Sequence, residues 1–400
     1  MDRYRTRSSR QRSRTRRSRT QRVLALAVVV GLALAVWVRA SGLEAPRAPA
    51  HQAGRAIFGP VRAAQLVTAT RGWALTPKRL VWTDDDGATW RDITPPQAPA
   101  PGARGVFFLD GTHGWVVASG GSAADGGVAL SALRTADGGR TWASTRLAGP
   151  SAANAAAYGG PAWVRFVDAL HGWILVKEVS SSNFSFGRLY RTTNGGRTWT
   201  AMDAPLGDPV TFVDQRTGWT AGGPAGDRLF VTRDAGRTWK AQAVPPPAGT
   251  GGRVAYALPV KAGGAVLLPV TVATSTRATV AWYASRDAGR TWRLANRVAT
   301  GDHLGPGVRV PVAAAGSGSW VSVLPSSRRM VRLREGGDAV AVQSTPTGPA
   351  GVEDLQFTTA SVGWALASSG PCAPGALCAP GRVLFRTGDG GSTWHEVTVP

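Results

Sequence analysis

The chain contains little cysteine, lysine and glutamate. Its 400 residues include two cysteines, four lysines and five glutamates. The cysteines, Cys372 and Cys378, lie in a loop that offers no other ligands, which excludes a zinc-type metal site. By contrast, 51 glycines, 27 prolines and 16 tryptophans are typical of many short strands separated by turns and anchored by aromatic side chains, in place of long charged helices. We therefore expect an all-β protein.

Positive charge is abundant but unevenly distributed. The formal net charge is +22, and residues 1–22 alone contain ten arginines and one acid. The remaining charge is scattered, with no zinc-finger spacing and no RNA-binding strand signature. We therefore expect no nucleic-acid partner.

The arginine-rich tail is followed by an apolar run at residues 23–38, without a charge or a proline. Arginines before such a run are typically retained on the cytoplasmic side of a membrane. The pattern predicts a cytoplasmic tail at 1–22, a transmembrane signal-anchor helix at 23–40, a linker at 41–60 and an exported body at 61–400. As a helix the run would span only about 24 Å, less than a hydrocarbon core of roughly 30 Å, so a cleaved and secreted form remains an alternative.

Export bears on the two cysteines. Outside the cytoplasm a pair six residues apart is expected to form a disulfide, so we predict a Cys372–Cys378 bridge. Two free thiols are the alternative.

One octapeptide recurs along the body. Its six copies occupy residues 83–90 (TDDDGATW), 135–142 (TADGGRTW), 192–199 (TTNGGRTW), 232–239 (TRDAGRTW), 285–292 (SRDAGRTW) and 387–394 (TGDGGSTW). The last interval is double, and residues 330–340 align there as a degenerate seventh copy with Glu335 at the acidic position and Val340 at the tryptophan position. The repeat count is therefore seven.

Five of the seven units also contain a Gly-Trp pair before the octapeptide, and short apolar strands flank the octapeptide. Four strands in about 50 residues are typical of a propeller blade, and seven blades close into a ring. We predict a monomeric, all-β, seven-bladed β-propeller of four-stranded blades. The predicted blades span about 61–97, 103–148, 161–205, 208–247, 252–299, 307–345 and 351–400.

The octapeptide resembles the Asp-box of sialidase-like and sortilin-like propellers, and its combination with Gly-Trp is most similar to the photosystem II assembly and stability factor family. The resemblance covers about residues 60–400 and implies a structural box. The acid would accept turn amides, glycine would supply positive φ, and tryptophan would cover the hairpin. The box residues are Asp85, Asp137, Asn194, Asp234, Asp287, Asp389, Trp90, Trp142, Trp199, Trp239, Trp292 and Trp394.

Antiparallel connectivity separates the two faces of the predicted ring. Turns between strands 1 and 2 and between strands 3 and 4 lie on one face, the box face, and the longer connections lie on the opposite, loop face. Binding residues concentrate on such loops. The aromatic and guanidinium candidates for a protein interface are Tyr158, Arg165, Phe184, Phe186 and Arg253. We expect a non-catalytic protein without cofactor or metal. The resemblance implies that its partner is a subunit of a membrane complex, which the chain would help to assemble or stabilise.

Two other functions stay open. A glycoside hydrolase of the sialidase or xyloglucanase type would need a carboxylate pair, for which Asp125, Glu178 and Asp302 are the loop-face candidates. An anionic lipid or polymer could instead bind an arc of arginines that occupy one box position. These arginines are Arg140, Arg197, Arg237 and Arg290.

Overall fold

The computed structural model describes residues 60–98, 100–122, 128–147, 160–179, 185–300, 308–324, 329–334, 341–342, 348–368 and 381–400. The basic tail, the apolar run, both cysteines and the degenerate acidic and tryptophan positions of the seventh repeat lie outside these residues. Within them, no helix is long and apolar enough to cross a membrane.

The described residues form seven antiparallel sheets, one per blade. Blade 1 contains β1 (Ala63–Leu66), β2 (Gly72–Leu75), β3 (Leu80–Thr83) and β4 (Arg91–Asp92). Blade 2 contains β5 (Ala103–Phe108), β6 (Gly114–Ser122), β7 (Val128–Thr135) and β8 (Ala143–Arg146), after a 3₁₀ turn at Ala100–Gly102. Blade 3 contains β9 (Ala162–Phe166), β10 (Gly172–Val179), β11 (Ser185–Thr192) and β12 (Thr200–Ala204). Blade 4 contains β13 (Val210–Phe212), β14 (Gly218–Gly222), β15 (Arg228–Thr232) and β16 (Lys240–Ala241).

The remaining blades follow in chain order. Blade 5 contains β17 (Arg253–Tyr256), β18 (Val260–Ala262), β19 (Ala265–Ala273), β20 (Ala278–Ser285) and β21 (Arg293–Thr300). Blade 6 contains β22 (Val312–Ala314), β23 (Ser319–Val323), β24 (Met330–Arg334) and β25 (Ala341–Val342). Blade 7 contains β26 (Val352–Phe357), β27 (Gly363–Ser368), β28 (Arg382–Thr387) and β29 (His395–Val397).

Blade 5 departs from the four-stranded pattern expected from the sequence. Its innermost strand is divided into β17 and β18, which pair with opposite ends of the long strand β19. Pro259 lies in the gap between them, and a proline has no backbone N–H to continue a ladder. The other six sheets are simple four-stranded meanders.

The ring closes between blade 7 and blade 1. The first strands of most neighbouring blades contact each other around the centre of the ring, and β26 contacts β1 in the same way. Val61 N–H donates to the Arg382 carbonyl at 3.0 Å, and the Trp90 indole donates to the Thr398 carbonyl at 2.9 Å. Each blade is continuous in sequence, so packing and these bonds close the ring without an exchanged strand.

Seven apolar clusters form the core, and each lies between two neighbouring blades. Six of them contain a tryptophan from strand 2 of a blade. Trp115 stacks on Phe166 of the next blade at 3.5 Å between ring centroids, and Trp173 stacks on Phe212 at 3.7 Å. A buried tryptophan removes about 150–250 Å² from water, which corresponds to roughly 4–6 kcal/mol as an upper estimate. The Gly-Trp pairs therefore hold neighbouring blades together.

Candidate functional surfaces

The box turns are closed by their acidic side chain, as Asp137 illustrates. Its Oδ1 accepts the Thr135 hydroxyl at 2.7 Å and the Thr141 N–H at 2.9 Å, and its Oδ2 accepts the Thr141 hydroxyl. The Thr135 oxygen in turn accepts the Gly139 N–H at 2.9 Å. One carboxylate and one hydroxyl thus satisfy the polar groups of the turn.

The other five boxes repeat this geometry. Asp85, Asp234, Asp287 and Asp389 make the equivalent bonds to the hydroxyls and amides of their own turns. In blade 3 the amide Asn194 replaces the acid, and its Nδ2 donates to Thr198 Oγ1 at 2.8 Å. A formal charge is therefore not required to form the turn.

Hydrogen bonding keeps the box carboxylates ionised. The Thr89 hydroxyl and N–H lower the pKa of Asp85 to about 2, and Thr141 and Thr393 do the same for Asp137 and Asp389. The remaining two box acids, Asp234 and Asp287, also have lowered pKa values. Bonds to Thr291 are the main cause for Asp287, whereas at Asp234 burial opposes the shift and is outweighed by bonds from Thr238. A carboxylate ionised in this way is unsuited to donate a proton as a general acid.

Two successive residues of each box, the fourth and fifth, have positive φ. The sequence led us to expect this conformation only of the glycine at position five. The residue at position four also has a positive φ. In three boxes this residue is not glycine: Asp86 (φ 57°), Ala235 (φ 66°) and Ala288 (φ 55°). A non-glycine residue in this region is strained by about 1–2 kcal/mol.

The residue at position four also connects the box turn to the strand 1–2 turn of its own blade and to the preceding blade. In blade 3 the Gly195 N–H donates to Leu170 in the strand 1–2 turn of the same blade at 2.9 Å, and its carbonyl accepts the Trp115 indole of blade 2 at 3.0 Å. In blade 4 the Ala235 carbonyl likewise accepts the Trp173 indole at 3.0 Å.

In all six boxes the preceding blade donates to position four, although the donor differs. The acceptor and donor pairs are Asp86 with Trp364 and Arg386, Gly138 with Arg91, Gly195 with Trp115, Ala235 with Trp173, Ala288 with Arg233, and Gly390 with Arg332. We call this contact the inter-blade clamp. The sequence does not reveal it, because in five of the six boxes the acceptor is a backbone carbonyl that any residue provides.

Four of the six box tryptophans pack edge-on against a strand-1 phenylalanine of their own blade. Trp90 instead packs on Trp364 of the preceding blade. Trp142 meets Phe108 at 6.2 Å and 89°. Trp199, Trp239 and Trp394 meet their phenylalanines in the same way, whereas Trp292 packs on Trp219 of the preceding blade. Four box indole N–H groups, those of Trp142, Trp199, Trp239 and Trp292, are buried without a hydrogen-bond partner among the described residues.

Among the described residues, the central hairpins of blades 2 and 3 extend furthest on the loop face. In blade 3 the β9 and β12 ladders cover residues 172–176 and 187–191 of the central hairpin, so 177–179 and 185–186 extend beyond the sheet as a two-stranded ribbon. In blade 2 the hairpin extends beyond its neighbours in the same way over residues 120–122 and 128–129. We call these extensions the blade 2 and blade 3 arms.

The predicted binding residues have different locations. Phe186 lies on the blade 3 arm with 53% of its surface exposed, and Arg253 is exposed at the loop-face start of β17. Tyr158 and Phe184 lie outside the described residues.

Arg165 lies on the innermost strand of blade 3 rather than on a loop. Its guanidinium is 5.8 Å from the centre of the Phe107 ring, and it donates to the Val164 carbonyl at 3.0 Å. Both Arg165 and Asp354 of blade 7 are accessible to solvent while protein surrounds them on most sides, as expected in a water-filled central channel. Burial lowers the pKa of Arg165 and raises that of Asp354, and the attraction between the two charges opposes both shifts.

Asp354 is thus a carboxyl whose pKa is raised by burial. Its neighbour Glu353 is paired with Arg382 at 2.7 Å. The loop-face carboxylates considered for a hydrolase, Asp125, Glu178 and Asp302, have side chains outside the described part of the chain. Within that part, no group of three His, Cys, Asp or Glu side chains could hold a metal ion.

The box-face arginines mostly fold back onto their own turns. Arg140, Arg197 and Arg290 each donate to the carbonyl of the acidic or amide residue of their box, at 3.2, 3.0 and 3.3 Å. They cap the turn and still remain exposed.

The fold and the boxes define the chain as a seven-bladed β-propeller. No known protein family matches its sequence, and neither does any curated protein. Among solved structures it is similar to YCF48 bound to D1 peptide, with 15% identity over 82% of this chain and 92% of that one and a TM-score of 0.52. It also matches YCF48 from Cyanidioschyzon merolae (15% identity, 74% and 86% coverage, TM-score 0.42) and a GH74 xyloglucanase from Xanthomonas campestris (15%, 85% and 45%, TM-score 0.38).

At this level of identity the likeness establishes the fold alone. The chain spans less than half the length of the xyloglucanase. The resemblance to a photosystem II assembly-factor propeller, expected from the sequence, is confirmed as a resemblance of fold.

Proposed function

We propose that this chain is a non-catalytic, membrane-anchored propeller that binds a protein partner outside the membrane through its loop face. The observation that carries the proposal is the pair of arms that blades 2 and 3 extend beyond their sheets on this face. Ribbons that project beyond a rigid scaffold are well suited to contact another protein, because the blades fix their position.

Phe186 gives the blade 3 arm a candidate anchor. The apolar surface of a half-exposed phenylalanine is removed from water only when a partner covers it. Aromatic residues dominate the binding energy of many interfaces. It lies opposite Glu178 in the register of the arm, so it is held on a paired strand rather than on a free loop.

The box face supports a non-catalytic reading. Its five box carboxylates are bonded within their own turns, and their lowered pKa values disfavour proton transfer. Of the two YCF48 structures, the one with the higher TM-score is bound to D1 peptide, so a polypeptide is the partner class to test first. Anchoring and the extracytoplasmic location rest on the arginine-rich tail and the apolar run.

The test compares two exposed apolar residues on opposite faces of one blade. Phe186 on the loop face and Leu170 on the box face are 53% and 49% exposed. Full-length wild type, Phe186→Ser and Leu170→Ser would be crosslinked in native membranes and recovered, and the captured proteins quantified. We expect Phe186→Ser to reduce capture of the main partner at least fivefold, with Leu170→Ser close to wild type.

Two results would contradict the proposal. If both variants lost partner capture equally, the loss could not be assigned to the blade 3 arm or to the loop face. Turnover of an oligosaccharide panel by the wild-type chain would show that it is an enzyme. Protease added to intact cells should remove the propeller if it lies outside, and a full-length chain that stays soluble in the cytoplasm would contradict anchoring.

A further inference from the structure

A groove lies on the outer rim of the ring between blades 4 and 5. Its volume is about 410 Å³, within the range of pockets that accept several side chains or a small ligand. One wall is the segment that follows β16, residues 242–248, which includes three successive prolines. Tyr283, Arg290, Trp292 and Leu294 of blade 5 form the other wall.

The proline-rich wall is fixed to blade 5 by hydrogen bonds. The Tyr283 hydroxyl donates to the Pro245 carbonyl at 2.6 Å, and the Tyr256 hydroxyl bonds to both backbone groups of Val244. Arg297 donates to the carbonyl of Ala248 at 2.8 Å. The groove is therefore a built feature with a fixed width.

The groove is apolar in the middle and basic at its ends. Leu294 is 45% exposed and pairs with Tyr283, so both side chains project from the same face of the sheet. The β20–β21 register shifts by one residue between Trp282 and Tyr283, so Arg297 pairs with Ala281 and lies on the same face as Leu294 although the two are three residues apart. Ala281 belongs to the same cluster between blades 4 and 5 as Tyr283. Leu294 thus lies between Arg290 and Arg297, and neither arginine pairs with a carboxylate among the described residues.

Strand β21 offers a backbone edge beside the groove. It is the outermost strand of blade 5 and has eight residues, whereas the outermost strands of the other blades have two to five. A long outer edge presents backbone donors and acceptors to which another strand can add. The residue opposite Leu294 in an added strand would place its side chain in the groove.

We propose that this groove and the edge of β21 bind an extended acidic segment of a polypeptide partner. The segment would place an apolar side chain against Leu294 and acidic side chains two residues before and after it. In a strand, residues i−2, i and i+2 share one face and are about 6.5–7 Å apart. One acid would therefore lie on the Arg297 side of Leu294, and the other on the side of the box turn that contains Arg290. This surface lies on the rim, separate from the arms of the loop face.

The experiment uses three blocked heptapeptides and the full-length chain in detergent. The first probe has phenylalanine at its centre, glutamate at i−2 and i+2, and threonine elsewhere. The second has the same composition with the glutamates at i−1 and i+1, which turns them to the opposite face. The third is the first peptide with N-methyl groups on the backbone amides that would pair with β21. Binding is measured by fluorescence anisotropy at low ionic strength.

We expect the first peptide to bind at least tenfold more tightly than the other two. Arg290→Glu and Leu294→Ser should each weaken it at least tenfold. The matched control is Arg197→Glu, which changes the equivalent box arginine of blade 3, where Arg197 folds back in the same way. Arg197→Glu should leave the affinity for the first peptide within twofold of wild type. Attraction by the overall charge of the protein would instead weaken binding equally in Arg290→Glu and Arg197→Glu.

Equal binding of the first two peptides, no effect of N-methylation, or an equal effect of Arg197→Glu would overturn the proposal. So would the lack of binding by any of the probes. Phe186→Ser should not change peptide affinity, so failure of the rim site and failure of the loop-face proposal give different results.

Discussion

The substitution Asp137→Ala tests what a box carboxylate contributes. It removes the acceptor for the Thr135 hydroxyl and for the hydroxyl and N–H of Thr141. A capping side chain that serves turn amides stabilises a protein by about 0.5–2 kcal/mol. Because Asp137 is partly exposed, water can replace some of these bonds. We therefore expect the free energy of unfolding to fall by about 1–2 kcal/mol at pH 7.

The same bonds predict how this loss depends on pH. Bonds from Thr141 lower the pKa of Asp137 from 3.8 to about 2. A shift of this size corresponds to roughly 2.4 kcal/mol without screening, and to about 1 kcal/mol at a solvent-exposed site. Since the folded pKa lies below the unfolded one, the contribution is complete above about pH 4 and is lost as the pH falls towards 2. The difference between wild type and Asp137→Ala should shrink by about 1 kcal/mol over that interval.

Urea unfolding followed by tryptophan fluorescence at pH 7 and pH 2.5 measures both effects. Blade 3 provides the controls, because Asn194 maintains the turn without a charge. Asp137→Asn should cost less than about 1 kcal/mol and remove the pH dependence of this box. Asn194→Asp should add a pH-dependent contribution. An Asp137→Ala variant as stable as wild type at pH 7, or a cost unchanged at pH 2.5, would refute the reasoning.

Two further predictions concern the clamp and the cysteines. Trp173→Phe should lower the free energy of unfolding by about 1–3 kcal/mol more than Trp282→Phe in urea, because only Trp173 donates its indole N–H, to Ala235, while both rings are fully buried. Equal costs would contradict a role for the bond. Cys372 and Cys378 should resist alkylation in the native exported chain, as mass mapping without reductant would show, and two reactive thiols would exclude the bridge.

The sequence predicted the architecture because the repeat combines several independent signals. The box, the Gly-Trp pair and the interval of about 50 residues each indicate a hairpin or a blade, and seven repeats define a closed ring. The predicted role of the box acid in binding turn amides agrees with the bonds of Asp137. These features depend on side-chain identity, so they are visible in the sequence.

Features that depend on backbone groups or on contacts between blades could not be predicted. Gln65 and Gln356 occupy equivalent positions on the first strands of blades 1 and 7, and each bonds to the free inner edge of the next blade. Neither residue belongs to a recognisable motif. Arg165 was predicted to be a loop residue. Its position between blades is evident only from the structure, which shows Phe107 of blade 2 and Asp354 of blade 7 as its neighbours. The division of the first strand of blade 5 likewise depends on local pairing.

The clamp explains why recognition should not involve position four of the boxes. Position four of a box bonds to a turn of its own blade and to a side chain of the preceding blade, as Gly195 does with Leu170 and Trp115. A substitution that alters this turn therefore disturbs two blades at once. The blade 2 and blade 3 arms lie outside these contacts. Their sequences can change at little cost to the ring, so partner specificity can develop there while the box face keeps the propeller closed.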